Sequence, residues 1–192
     1  MKTSNFNKII VLTFCMCMIA SCQSEYTKLV KNELASGIKN DTIFYNLKFG
    51  NTKKEFYEIC WNLNKQGTAT HGENNSYVKT ILEPKDSINK TKRIVMLFYA
   101  RFTPKDIITA MDIKFSYSAW APWNTNLQSE NLIPAIKDTL LKWYPGNPFM
   151  KVKNDILVKV DGNRQIQLVK ESDRDVSVVI ENLEYKYNRL VK

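Results

Sequence analysis

The fold is decided by the stretch IVMLFYARF-TPKD-IITAMDIKFSY, residues 94–117. Its first nine residues are apolar on both faces, which is typical of a strand in the middle of a sheet. Pro104 and Asp106 indicate a turn. From Ile107 to Tyr117 apolar and polar residues alternate with the period of a strand that has one wet face. The stretch therefore predicts two neighbouring strands at the centre of a β-sheet.

A helix is predicted on the N-terminal side of these strands. Thr52 and Glu55 have the spacing of a capping box, and Gly67 has the position of a helix end. One apolar stripe at helical spacing lies between them, formed by Phe56, Ile59, Cys60 and Leu63. We also predict a strand over 43–49, where apolar residues alternate, and another over 77–82.

The C-terminal half repeats this order of elements. A helix is expected from about Ser129 to Tyr144, with the stripe Ile133, Ile136, Leu140 and Trp143. Residues 150–160 predict one long strand or a tight pair, and Asp161-Gly162 indicates a hairpin. The parity of the apolar residues changes near Asn182, which predicts a bulge in a last strand that continues to Tyr187.

The expected fold class is α+β, with two helix-plus-antiparallel-meander units whose helices cover one face of the sheet. The first unit is assigned to residues 41–120 and the second to 121–192. The two units match in element order without a residue-level repeat.

The first 21 residues have the pattern of a secretion signal. Lys2 and Lys8 precede an almost uninterrupted apolar run over 9–20, which is shorter than the roughly 20 residues that span a bilayer. The run ends in Ile19-Ala20-Ser21-Cys22, which resembles the lipobox of bacterial lipoproteins. We therefore expect Cys22 to be lipidated with fatty-acyl chains such as palmitate, an ordinary signal cleaved near Ala20 being the alternative.

The lipid on Cys22 would anchor the chain stably, since a diacylglycerol and an amide-linked chain together exceed the two-signal threshold. Residues 22–40 are predicted to be a tether, with a short helix where Tyr26, Leu29, Val30 and Leu34 nearly share a face. Gln23 differs from the Asp that resembles an inner-membrane retention signal. The expected location is the cell envelope, on the periplasmic or surface face of the outer membrane.

The charge is basic but evenly distributed. The formal charge is +9, and +7 without the two lysines of residues 1–21. Lys and Arg alternate with Asp and Glu, and no block of five like charges occurs, which indicates a solvated surface and no nucleic-acid partner. Because Cys60 is the one cysteine left after residue 22, the domain has no internal disulfide and depends on a hydrophobic core.

Two segments resemble known envelope proteins. Residues 47–56 resemble the opening of small lipoproteins of the SmpA/OmlA type, in which a short strand and Gly-Met-Thr lead into the first helix; Asn51 stands at the place of that Met. Residues 141–148 resemble the helix end of tandem domains that include β-lactamase-inhibitor-like ones, with Pro145 inserted before the glycine. The resemblance implies a non-enzymatic envelope role, in barrel assembly or inhibitor-like protein binding.

The sequence has no recognisable catalytic or metal-binding constellation, and no cofactor is expected. His71 is the single histidine and lies in a polar segment, without the second histidine or cysteine pair that a zinc site needs. A nucleophilic pair of Cys60 and His71 is conceivable, but Cys60 falls on the apolar stripe of the first helix, where thiols are usually inert.

Three aromatic residues between the two units form the candidate binding surface: Tyr117, Trp120 and Trp123. Such residues stack on glycans or contact proteins, but they also plug junctions between units, and burial is the commoner case. Ser87, in Asp86-Ser87-Ile88, is a candidate O-glycosylation site because the tripeptide resembles the Asp-Ser/Thr-aliphatic motif.

These observations predict a membrane-anchored, non-catalytic protein-binding or assembly module, with an envelope protein of unknown identity as its partner. Two alternatives stay open. One is an envelope glycan or peptidoglycan hydrolase that uses paired carboxylates, which meet only in space. The other is an immunity or inhibitor lipoprotein that neutralises a toxin or enzyme at the membrane.

Overall fold

A computed structural model describes residues 24–72, 76–84 and 90–190. It contains four α-helices: α1 (Glu25–Ala35), α2 (Lys53–Lys65), α3 (Ser129–Trp143) and α4 (Leu183–Leu190). The strands are β1 (Thr70–His71), β2 (Val78–Leu82), β3 (Ile94–Phe102), β4 (Ile108–Tyr117), β5 (Met150–Lys151), β6 (Leu157–Asp161), β7 (Arg164–Lys170) and β8 (Val176–Asn182).

All eight strands belong to one antiparallel sheet, in the order β1-β2-β3-β4-β8-β7-β6-β5. The predicted central strands β3 and β4 pair along their length, and β4 then pairs with β8. The pairing slips by one residue between Arg101 and Phe102, so that Ile108 is buried at the start of β4. The α+β class and the antiparallel sheet are confirmed.

The main core lies on one face of the sheet. Aligned residues of neighbouring strands, such as Phe98, Ile113 and Val178, point into it. Helix α3 packs against it through Leu132, Ile136 and Leu140. This stripe is rotated from the predicted one, because Ile133 is half-buried and Trp143 is 38% exposed, while Tyr144 takes the buried place at the helix end.

Helices also contact the opposite face, so the prediction that they cover one face is incomplete. Side chains alternate between the two faces along a strand, so Val158 and Val160, on either side of Lys159 in β6, share one face. Neither belongs to the main core. They form a second apolar cluster with Val30 of α1 and Leu183 of α4. Among the described residues, no helix is long and apolar enough to cross a membrane.

The segment predicted to be a tether contains the suggested helix, and this helix is docked on the sheet. Ser24 caps α1, Val30 is buried, and the Tyr26 hydroxyl donates to Gln165 Oε1 at 2.5 Å. The Glu33 carboxylate accepts from the Gly162 amide at 2.7 Å. Residues 25–35 are thus part of the folded domain.

The predicted strand over 43–49 is wrong, and so is the predicted continuation of the last strand beyond Asn182. Residues 43–49 form a tight turn, in which the Leu47 N–H donates to the Phe44 carbonyl while Tyr45 and Asn46 both have positive φ. Ile43, Leu47 and Phe49 of this segment are nevertheless buried. At the C-terminal end, β8 stops at Asn182, whose side chain accepts from the Tyr185 amide and begins α4. The parity change that predicted a bulge is the start of this helix.

Candidate functional site

An open cleft lies between α2 and the end of the sheet formed by β1, β2 and β3. Helix α2 is fixed at its start by the Thr52–Glu55 capping box and by the fully buried Phe56. The Phe56 ring makes edge-to-face contacts with Tyr99 and Phe102 of β3, at centroid distances of 5.6 and 5.7 Å. Further along the helix, Ile59 and Cys60 are partly buried against the core, and Tyr57, Cys60, Trp61 and Asn64 line the cleft.

The cleft has a volume of about 760 Å³, which is within the range of ligand-binding pockets. Its described lining is aromatic, apolar or neutral polar, without Asp, Glu, Lys or Arg. It consists of Phe56, Tyr57, Cys60, Trp61, Asn64, Ala69, Thr70, His71, Ser76, Tyr77, Val78 and Tyr99. Because Asp, Glu, Lys and Arg make up 24% of the chain, twelve described lining residues without any of them are a clear departure from the average composition.

Two aromatic side chains of α2 are presented to solvent at the cleft. Tyr57 is 49% exposed and Trp61 is 60% exposed. The Tyr57 hydroxyl is 3.0 Å from that of Tyr99, which links helix and sheet. The Lys65 ammonium lies 5.4 Å from the centre of the Trp61 ring. These contacts hold the two rings in place while leaving much of their surface free.

Two ionisable side chains of the cleft, Cys60 and Tyr99, have raised pKa values. Burial raises the pKa of the Cys60 thiol to about 12. The pKa of Tyr99 is also raised to about 12, mainly by its hydrogen bond with Tyr57 and to a smaller extent by burial. A cysteine nucleophile needs its thiolate form. Although Cys60 and His71 both line the cleft, the protonated thiol gives no support to a nucleophilic pair.

The described residues give no support to metal or paired-carboxylate chemistry either. No group of three His, Cys, Asp or Glu side chains among them could hold a metal ion. Three further clefts, of about 610, 370 and 350 Å³, each have at most one carboxylate in their described lining. The acidic segment Glu171–Asp175, which has several carboxylates close together in sequence, is a turn between β7 and β8. In this turn the Glu171 N–H donates to the Asp175 carbonyl.

The three predicted aromatic residues do not form one surface. Tyr117 is buried, and its hydroxyl donates to the Asn131 carbonyl at 3.3 Å. Trp120 is half-buried against the core, and its Nε1–H donates to Gln128 Oε1 at 3.1 Å. Trp123 is 84% exposed, so it plugs no junction. The other candidate positions, Cys22 and Ser87, lie outside the described residues.

The aromatic cleft is not among the sites that the sequence analysis singled out. Its one sequence signal is that Tyr57 and Trp61 are spaced by four residues on α2, beside the apolar stripe rather than in it. Large aromatics at solvent-facing helix positions are typical of binding surfaces.

Comparison with models of known protein families, with curated proteins and with solved structures finds no match.

Proposed function

We propose that this chain is a membrane-anchored envelope lipoprotein that acts as a non-catalytic protein-binding or assembly module. Its anchor is the lipid on Cys22, and its recognition site is the aromatic cleft between α2 and β1–β3. The observation that carries the proposal is a cleft whose described lining has no Asp, Glu, Lys or Arg and in which Tyr57 is 49% and Trp61 60% exposed.

The composition of the cleft fits a protein interface better than a reaction site. The cores of protein interfaces are depleted of charged residues and enriched in Tyr and Trp, and these two residue types are frequent hot spots. Catalysis by acids, bases or nucleophiles requires groups with matched pKa values. In the cleft, the raised pKa values of Cys60 and Tyr99 leave both groups protonated at neutral pH.

The sheet order supports the proposed pair of helix-plus-meander units. Strands β1–β4 follow one another at one end of the sheet, and β5–β8 follow one another at the other end. Two meanders placed side by side through β4 and β8 would give this order. The resemblance of residues 47–56 to SmpA/OmlA-type lipoproteins points in the same direction, toward a non-enzymatic envelope role.

The docking of α1 has a consequence for the orientation of an anchored domain. Ser24 caps α1, and no more than about 8 Å of chain separates its α-carbon from that of Cys22. Helix α1 packs on β6, which is six strand positions away from β1, a distance of roughly 29 Å across the sheet. A lipid on Cys22 would therefore hold the β6 end near the membrane and leave the cleft accessible from the aqueous side.

Chemical crosslinking in the native envelope, followed by purification of the full chain, tests the binding function. We expect Trp61→Ala to reduce the recovery of the partner at least tenfold, because truncation of an interface hot spot lowers affinity by 2 kcal/mol or more. Trp123→Ala is the matched control, since it removes an exposed Trp elsewhere and should leave recovery unchanged. Undiminished recovery with Trp61→Ala would reject the cleft, and turnover of a glycan or peptidoglycan substrate would favour the hydrolase.

The anchor is tested separately with labelled fatty acid. Cys22→Ala should abolish incorporation of the label and leave a soluble protein or an uncleaved precursor. Label that persists on this variant would contradict lipidation at Cys22.

A further inference from the structure

The edge of the sheet beside the cleft has backbone groups that face outward. The Gly72 N–H donates to the Tyr77 carbonyl at 2.8 Å, and hydrogen-bonded pairs alternate with non-hydrogen-bonded pairs along an antiparallel ladder. His71 and Val78, the next pair, are therefore not hydrogen-bonded to each other. The His71 N–H and C=O point away from β2, toward the outer edge of the sheet, and His71 itself lines the cleft.

The spacing of the two exposed rings matches the repeat of a β-strand. Tyr57 and Trp61 are one turn apart on α2, and side chains four residues apart on a helix are separated by about 6 Å. Along an extended chain, side chains on the same face recur about every 6.5–7 Å. An extended segment lying between α2 and β1 could thus place one side chain against each ring.

The uncharged lining restricts the side chains that such a segment could carry. A charged group that entered the cleft would lose water and find no Asp, Glu, Lys or Arg among the described lining residues. Burying a charge without a partner is strongly unfavourable. Apolar and neutral polar side chains, in contrast, can pack on the rings or bond to neutral groups such as Asn64 and Thr70.

We infer that the cleft takes an extended, uncharged segment of a partner polypeptide, which adds a strand to the outer edge of β1 at His71 and packs alternate apolar side chains against Tyr57 and Trp61. The inference rests on the proposed binding function and specifies its partner. Strand addition uses backbone hydrogen bonds for affinity and side-chain pockets for specificity.

At the other end of the sheet, the part of β6 that extends beyond β5 is covered by side chains. There the Asn147 side-chain amide donates to the Val160 carbonyl at 2.8 Å and to Glu33 Oε1 at 2.7 Å. These groups cover the outer edge of β6 beyond the two-residue strand β5. Strand addition is assigned to the β1 end, where the outward backbone groups of His71 lie beside the cleft and its exposed rings.

Site-specific photo-crosslinking of the full chain in its native envelope tests the inference. The photoreactive residue benzoyl-phenylalanine replaces Tyr57 in one variant and Trp123 in a control variant, and the crosslinked segment of the partner is then mapped by mass spectrometry. We expect crosslinks from position 57, and none to the same partner from position 123. The mapped segment should lack charged residues and alternate apolar with other side chains.

The outcomes separate this inference from the proposed function. A protein crosslinked through a charged or helical segment would overturn the inference and leave protein binding intact. A crosslinked glycan, or no crosslinked protein at all, would overturn both.

Backbone pairing is tested with a synthetic peptide that has the mapped sequence. His71→Pro removes the outward N–H and should weaken peptide binding at least fivefold, roughly the value of one hydrogen bond. His71→Ala keeps the backbone and should bind like the wild type. Since His71→Pro could alter β1 itself, a peptide that is N-methylated at alternate residues provides a second measurement on the unaltered chain. Equal binding of the methylated and unmethylated peptides would exclude strand addition.

Discussion

The two ends of the eight-stranded sheet both finish in a two-residue strand, but the side chains around them differ. Charged and amide side chains surround one end, and aromatic side chains line the cleft at the other. At the β5–β6 end the turn after β6 is surrounded by buried charges and amides. Lys159 is fully buried, and its ammonium lies 2.7 Å from Asp161 Oδ2. At the β1–β2 end the chain leaves a cleft with exposed aromatic rings, whose described lining has no Asp, Glu, Lys or Arg.

The polar end joins distant parts of the chain. Asp161 Oδ1 accepts from the backbone N–H of Asn147 at 2.8 Å, and Asn163 Oδ1 accepts from the backbone N–H of Asn40 at 2.6 Å. The Arg164 guanidinium lies over the Tyr144 ring at 4.5 Å and donates to the Thr42 carbonyl. Buried polar networks fix one arrangement when their members are paired. The comparison teaches that the polar end joins distant parts of the chain, whereas the cleft end leaves aromatic rings exposed.

The largest expected effect is at the polar end. Asp161→Ala would leave Lys159 buried without its carboxylate, and breaking a buried ion pair by removing one partner typically costs about 3–5 kcal/mol. The matched control is Asp112→Ala, which breaks the exposed Arg101–Asp112 ion pair and should cost less than about 1 kcal/mol. Urea unfolding of both variants measures the difference. Equal losses would mean that the buried pair has no special role.

Gly162 and Gly67, one at each end of the sheet, allow the packing of the two ends to be compared directly. Gly162 has φ +56° and a Cβ there would lie 2.3 Å from the Ile38 carbonyl oxygen, whereas Gly67 has φ +71° with open space around it. We expect Gly162→Ala to destabilise by about 2–4 kcal/mol, from left-handed strain plus overlap, and Gly67→Ala by about 1–2 kcal/mol from strain alone. Unfolding midpoints in urea would show the order, and the reverse order would contradict the difference in packing.

The connection between β4 and α3 provides an intermediate case. Trp120 packs against the core, so Trp120→Ala should destabilise by roughly 2 kcal/mol, less than the 3–5 kcal/mol of a fully buried aromatic. Trp123→Ala should change stability by less than about 0.5 kcal/mol, because the side chain is exposed. Thermal unfolding of the two single variants tests this. A large drop for Trp123→Ala would restore its predicted role as a plug.

The smallest effect concerns pH at the cleft end. Burial raises the pKa of Cys60 from 9.0 to about 12, so the unfolded chain loses this proton at lower pH than the folded chain does. The contribution of Cys60 to stability is therefore complete below pH 9 and is lost as the pH rises toward 12. Cys60→Ala should make the alkaline fall in unfolding midpoint slightly shallower than in the wild type.

Because its pKa is raised, Cys60 should be alkylated slowly in the folded chain at neutral pH and quickly in denaturant. Mass spectrometry measures the extent of alkylation. Rapid alkylation of the folded chain would show that the thiol is activated, and would revive the nucleophilic pair with His71.

The sequence by itself determined the elements that depend on local chemistry. The capping box at Thr52 begins α2, Pro145-Gly146 follows α3, and Asp161-Gly162 turns the chain between β6 and β7. The long apolar stretch 94–117 placed β3 and β4 in the middle of the sheet. Each of these signals lies within a few residues, where spacing and side-chain type are sufficient to favour one structure.

Only the tertiary structure decided the features that join distant residues. Alternation over 43–49 correctly indicated that Ile43, Leu47 and Phe49 are buried, but the left-handed pair Tyr45-Asn46 folds this segment into a turn against the core. The docking of α1 depends on β6 and α4, more than a hundred residues away. The cleft likewise combines a helix, a hairpin and a central strand. A hydrophobic pattern shows that a side chain is buried or exposed, whereas its partner is set by packing of the whole chain.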